Sequence, residues 1–247
     1  MLFFAAAALG LILGSFLNAL SFRWGTGRSV MRGRSRCMHC GHALGAQDLV
    51  PVFSFLFLRG RCRHCGARMS LQYPAVEAGG LLVSVAVYIA HPEPLAFFFW
   101  LLVWMILLFI VVYDLRHMII PTSPLALLAA LALMQALLFS SYWTIVAGVM
   151  LAFPLFFISL MSDGRWMGWS DGALELALGW MLGFTAGLTA LLSAFCAGAL
   201  VGIGMLIASK RFTMKSELPL APFLILGAAL AHFAHVDLFQ TLFLILP

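Results

Sequence analysis

The sequence predicts an all-α polytopic membrane protein of about eight transmembrane helices, with a small zinc-bound cytoplasmic loop domain inserted after the first helix. Three observations lead there. Hydrophobic residues make up 64% of the 247 residues and charged residues 9%, whereas a soluble globular domain carries about 25% charged residues. Long apolar runs recur along the chain. Two Cys-x-x-Cys pairs stand among arginines in one polar stretch, "SRCMHCGHAL" and "GRCRHCGARMSLQYPAVE". The mean hydropathy of +1.06 excludes an ordinary cytosolic enzyme.

Crossing about 30 Å of hydrocarbon at 1.5 Å per residue takes about 20 apolar residues. Such runs lie near 1–22, 76–91, 95–113, 119–139, 142–161, 172–189, 190–209 and 220–246. The second is short. Only Gly183, Gly187 and small residues separate the sixth from the seventh, so seven helices is the competing count. A secretory signal opens with a positive segment and ends at a cleavage site. Here "MLFFAAAALGLILGSFLNALSF" has no charged side chain before Arg23. It reads as a retained helix with its N-terminus outside the cytoplasm. The division that follows is 1–22 for this helix, 23–75 for the loop domain and 76–247 for a membrane domain.

Charge placement supports that orientation. With the N-terminus outside, segments 23–75, 114–118, 162–171 and 210–219 face the cytoplasm, and they hold all 14 lysines and arginines. The opposite connections, "HPEP", "SSYW" and the tight sixth turn, hold none, as the positive-inside rule requires. A pI of 9.2 is then accounted for by loops beside anionic lipid, with no call for nucleic acid.

Cys37-x-x-Cys40 and Cys62-x-x-Cys65 suit tetrahedral Zn²⁺ coordination, each pair giving two thiolates from one turn. Gly41 and Gly66 follow the pairs and permit that turn. Lasting disulfides are disfavoured in a reducing cytoplasm, and nearby arginines favour thiolates. The competing readings are unrelated thiols or a redox pair. Four cysteines fill the coordination shell, so the site is structural, and His39, His42 and His64 are bystanders. Cys196, inside an apolar run, reads as a small buried residue.

Charge within lipid is costly and is usually kept for function. Of nine acidic residues, Asp114, Asp163, Asp171 and Glu175 are the informative ones. Asp114 ends "LLFIVVYD" and Asp171 opens "DGALELALGWMLG", each at the cytoplasmic end of a predicted helix. If they meet in the fold, two carboxyls about 3 Å apart hold one proton between them. One can then draw a proton from water while the other polarises a peptide carbonyl, which is aspartyl proteolysis. The bland alternative is that Asp171 caps its helix and Asp114 pairs with Arg116 or His117.

Five motifs in order resemble the bacterial prepilin peptidases, or type IV leader peptidases, over nearly the whole chain. They are "GSFLNALSFR", the tetracysteine loop, "DLRHMIIP", "GWSDGALELALGWMLG" (similar to the family's GxGD motif) and "LPLAPFLILGA". The resemblance implies a membrane aspartic endopeptidase with Asp114 and Asp171 as catalytic residues. Its substrates would be type IV prepilin or pseudopilin precursors, cut at the cytoplasmic face of the bacterial inner membrane. Many tetracysteine members also methylate the new N-terminal amine with S-adenosylmethionine, which would draw on the loop and on Asn18, Arg23 and Glu77. Ser170 stands where the family has glycine, Ala173-Leu174 where it has Lys-Leu, and Cys37-Met38 where Cys-Pro is usual. The alternatives from other classes are a zinc-stabilised membrane assembly factor and a transporter; the latter fits poorly with acids at helix ends.

Overall fold

The computed structural model describes residues 1–27, 35–208, 213 and 218–236. Its helices are α1 (Leu2–Arg23), α2 (Phe53–Phe57), α3 (Gln72–Ala90), α4 (Pro94–His117), α5 (Thr122–Phe139), α6 (Tyr142–Met161), α7 (Trp169–Leu182), α8 (Phe184–Ala208) and α9 (Ala221–Phe233). A short 3₁₀ turn covers Ala46–Leu49. Among the described residues no strand forms, only two isolated β-bridges in the loop.

Each of the eight expected apolar runs contains a helix among the described residues. Among the described residues, six helices are long and apolar enough to cross a membrane. The other two, α7 and α9, have 14 and 13 residues. The expected end of the last run, at 237–246, lies outside the described residues, as do Arg28, Arg32, Arg34, Lys210, Arg211 and Lys215. The break between the sixth and seventh runs falls at Gly183 and not near 190. Gly183 has φ 79°, a left-handed conformation that glycine adopts without steric cost, so α7 ends early and α8 extends to 25 residues. Large apolar side chains such as Leu82, Phe98, Leu127, Phe153 and Leu200 are exposed on the helices, as lipid-facing residues are. The chain is a multi-span helical membrane protein.

The backbone divides into two compact units, Met1–Val112 and Tyr113–Pro247. In the first, α1 packs on α3 through a seam of small residues. A Cβ on Gly14 would lie 2.8 Å from the Val76 carbonyl oxygen, so the two backbones touch where lipid cannot drive association and close packing must. Ser84 Oγ donates to the Ala6 carbonyl at 2.7 Å, closing the seam.

In the second unit α7 lies at the centre, against α5, α6, α8 and α9. Its glycines meet α6 directly. A Cβ on Gly179 would stand 2.6 Å from Gly148 Cα, and one on Gly172 would stand 2.8 Å from the Phe156 ring. The Trp180 indole N–H donates to the Ile145 carbonyl at 3.2 Å. This seam fixes the rotation of α7 about its axis, and with it the direction in which Asp171 and Glu175 point.

Candidate active site and metal centre

The tetracysteine loop is built twice on one pattern. Cys37 N–H donates to the His42 carbonyl and Gly41 N–H to the Cys37 carbonyl; Cys62 and Gly66 repeat this with Ala67 and Cys62. Gly41 and Gly66 both have φ 69°, so each turn needs its glycine. The four sulfurs lie within 4.8 Å of one another, and Cys37 Sγ is 3.9 Å from Cys65 Sγ. A tetrahedral site with metal–sulfur bonds of about 2.3 Å has an edge of about 3.8 Å, so the donor set fits a metal ion. The backbone N–H of Cys40, then that of His39, lowers the Cys37 thiol to about 6. The Ala67 N–H acts the same way on Cys65, but desolvation and the neighbouring sulfurs outweigh it and raise that thiol to about 11. Four thiols this close cannot all ionise without a cation among them. Cys196 is exposed, not buried as expected, in keeping with the outward face of a helix in lipid.

Neighbouring side chains tie the loop together. The Arg63 Nε–H donates to Asp48 Oδ1 at 2.8 Å, and Gly45 N–H donates to Asp48 Oδ2 at 3.1 Å. Arg63 first, and then the Gly45 amide, hold the Asp48 carboxyl below its usual range. His42 and His64 stack with centroids 4.4 Å apart and are not among the grouped ligands.

Asn18, Arg23 and Glu77 belong to the first unit. Asn18, 1% exposed, accepts at Oδ1 from Gln72 Nε2 at 3.0 Å, while its Nδ2 has no partner among the described residues. Glu77 Oε2 accepts the Val52 N–H at 2.7 Å. Val52 has φ 62°, a strained conformation for a β-branched residue, so Glu77 holds the loop in a shape it would not take alone. Arg23 is half-buried in the last turn of α1.

Asp114 and Asp171, 57 positions apart in sequence, both lie in the second unit. Asp114 sits in the last turn of α4 and is 4% exposed. The backbone N–H of Ala221, at the start of α9, acts on its carboxyl, and its Oδ2 has no partner among the described residues. Asp171 lies in the first turn of α7, where its Oδ2 accepts the Gly168 N–H at 3.1 Å. The Asp114 charge reaches Asp171, so the two carboxyls lie in one unit within range of each other's charge. Asp171 does cap its helix, but the cap occupies only one of its oxygens.

Ser170 is the second residue of α7 and has helical backbone, so the position needs no positive φ. Asp163 is exposed, 4.0 Å from Arg165 and apart from the pair. Two features escaped the sequence reading. The Ala221 amide is a backbone group with no side-chain signal beyond Pro222 behind it. Glu175 was singled out without a role; it is fully buried, and neither carboxyl oxygen has a partner among the described residues.

Fold and site together define a helical membrane protein with two aspartates at helix ends in one unit and a four-cysteine module able to hold a metal ion. Comparison with known proteins narrows this further. Residues 8–91 match the bacterial peptidase A24 N-terminal domain and residues 99–203 match the type IV leader peptidase family. A prepilin leader peptidase/N-methyltransferase of Bacillus subtilis (strain 168) is 30% identical over 90% of each chain. Proteins of the same description from Aeromonas hydrophila and Myxococcus xanthus (strain DK1622) are 32% and 34% identical, over 82% and 85% of this chain. The chain spans 72% of the former and 64% of the latter. No solved structure matches. The chain belongs to the type IV leader peptidase family.

Proposed function

We propose that this protein is an aspartic endopeptidase that removes the leader of type IV prepilin-like precursors, with Asp114 and Asp171 as its catalytic pair. The observation that supports this reading is that both carboxyls lie in the second unit, with the Asp114 charge acting on Asp171. Held about 3 Å apart around a bound peptide, the two carboxyls would share one proton. The ionised member takes a proton from water as the water oxygen attacks the scissile carbonyl carbon. The protonated member gives its proton to the carbonyl oxygen, whose charge would otherwise build in a water-poor site. As the resulting diol collapses, one hydroxyl gives its proton to the ionised carboxylate, the C–N bond breaks, and the protonated carboxyl gives its proton to the leaving amine. The pair ends as it began, with one proton. Enclosure by α5, α6 and α9 around α7 excludes bulk water from these steps.

The four cysteines would hold Zn²⁺, which staples a loop too small to build its own core. The names of the relatives favour a second activity, methylation of the new amine, for which S-adenosylmethionine would supply the methyl group. Asn18, with its unpartnered amide nitrogen, is the group best suited to bind in that region. Glu77, engaged with Val52, shapes the loop. We place the loop in the cytoplasm and the protein in the bacterial inner membrane, on the distribution of lysine and arginine.

The test is cleavage of a prepilin-like precursor by purified protein in proteoliposomes, with the product N-terminus read by mass spectrometry. A product lacking the leader supports the peptidase, and one carrying an added methyl group supports the second activity. An assembly factor leaves the precursor intact.

A further inference from the structure

Glu175 lies one helical turn beyond Asp171 on α7, and residues four apart share a helix face. Its side chain is 0% exposed, and neither oxygen has a hydrogen-bond partner among the described residues. Its surroundings in sequence are apolar, "ALELALG", with Leu174, Ala177 and Leu178 all buried. Leucine at this position would fill space without a polar penalty, whereas an enclosed, unpaired carboxyl opposes folding. Asp114 Oδ2 is likewise enclosed without a partner. One unit therefore holds two unmet hydrogen-bonding groups, one on the aspartate pair and one a turn away from it.

We propose that Glu175 is a substrate-positioning residue of the peptidase site, its carboxyl pairing with a backbone amide of the peptide held across Asp114 and Asp171. The inference rests on the peptidase reading. A peptide must be extended to be cut, and an extended backbone in a water-poor site has N–H and C=O groups that lack partners. A carboxyl presents an acceptor oxygen and, when protonated, an O–H donor, which together complement one amide. Glu175 stands about 6 Å along α7 from Asp171, given a rise of 1.5 Å per residue. That is roughly two residues of extended chain, so the amide it meets lies about two residues from the scissile bond. Asp114 is itself only 4% exposed, so a peptide reaches the pair as the surrounding helices part, and the same opening uncovers Glu175. Because Glu175 is stripped of water in the fold already, its hydrogen bonds to substrate carry no further desolvation cost.

The test compares the full-length protein in lipid nanodiscs with Glu175→Leu and Glu175→Gln. Three quantities are measured: cleavage kinetics on a prepilin-like precursor, binding of that precursor in an Asp171→Asn background, and thermal unfolding. Glu175→Leu is expected to melt no lower than the parent, yet to raise KM and Kd about tenfold. Glu175→Gln, which keeps a donor and an acceptor, is expected to stay within about threefold of the parent. Parental KM and Kd in folded Glu175→Leu overturn the proposal. Equal losses in both variants, or a lower melting temperature for the leucine variant, also overturn it by marking a packing role. If the parent cleaves no precursor, the peptidase reading falls. The binding arm involves no chemistry and still decides the case of Glu175, an unchanged Kd in the leucine variant counting against it.

Discussion

Asp171 has the position of an ordinary helix cap, and what distinguishes it is that the Asp114 charge also acts on it. A cap alone contributes on the order of 1 kcal/mol of stability, whereas a proton-sharing pair works only when both members are present. Combining Asp114→Asn with Asp171→Asn is therefore expected to cost hardly more activity than either change alone, since residues acting as a unit fail as a unit. Cleavage rates of the two single variants and the double variant, measured on one precursor, check this; independent, multiplying losses contradict it. The rate should also fall on both sides of an optimum pH, as the pair gains a second proton or loses its shared one. Asp48 shows the opposite use of a carboxyl. Its pKa is lowered in the fold, so its contribution is present above the ordinary carboxylate value of about 3.9 and is lost as pH falls through the folded value. Arg63 is 57% exposed, so solvent screening holds that contribution to about 1 kcal/mol or less. Melting of the loop should respond to Arg63→Ala by no more than this at neutral pH.

Helices meet in this protein where glycine lets backbones touch. Gly179→Leu would push α7 off α6, and overpacking of this kind costs about 1–3 kcal/mol. A lower melting temperature and lost cleavage are expected together, because the same seam orients Asp171. Glu77→Leu should act only on the loop, freeing the strained turn at Val52, with faster amide exchange at residues 46–58 as the readout. These elements also show what the sequence could and could not reveal. The cysteine pairs with their glycines encode the metal module locally, so spacing alone was enough. The long apolar runs announce helices because a membrane demands them. The break at Gly183 was ambiguous because Gly183 and Gly187 are equally permissive in sequence, and only packing on α6 chooses between them; a Cβ on Gly187 would lie 2.6 Å from Leu151. The Ala221 amide on Asp114 was invisible, since a backbone N–H is the same in every residue that carries one. The enclosure of Glu175 was hidden for another reason: a glutamate within an apolar run signals a costly charge, but which neighbours enclose it depends on the packing of α7.

The whole molecule combines a four-cysteine loop able to hold a metal ion with a set of helices long and apolar enough to cross a membrane. Elemental analysis should find one Zn²⁺ per chain, and a protein purified gently without zinc contradicts the assignment. Replacing Cys62 by serine should loosen residues 35–69 to protease while the spanning helices hold, because those helices satisfy their backbone groups internally. The charge distribution predicts that a single cysteine placed at Ser35 resists impermeant reagents added outside intact cells; labelling from outside reverses the topology. The central claim is that the two aspartates perform the reaction. It is tested most directly by cleavage with well-folded Asp171→Asn protein reconstituted in lipid. This account predicts no leader removal at all beside a melting temperature close to that of the parent. Near-normal turnover would contradict it, remove Asp171 from the active site, and leave that residue as the cap of α7.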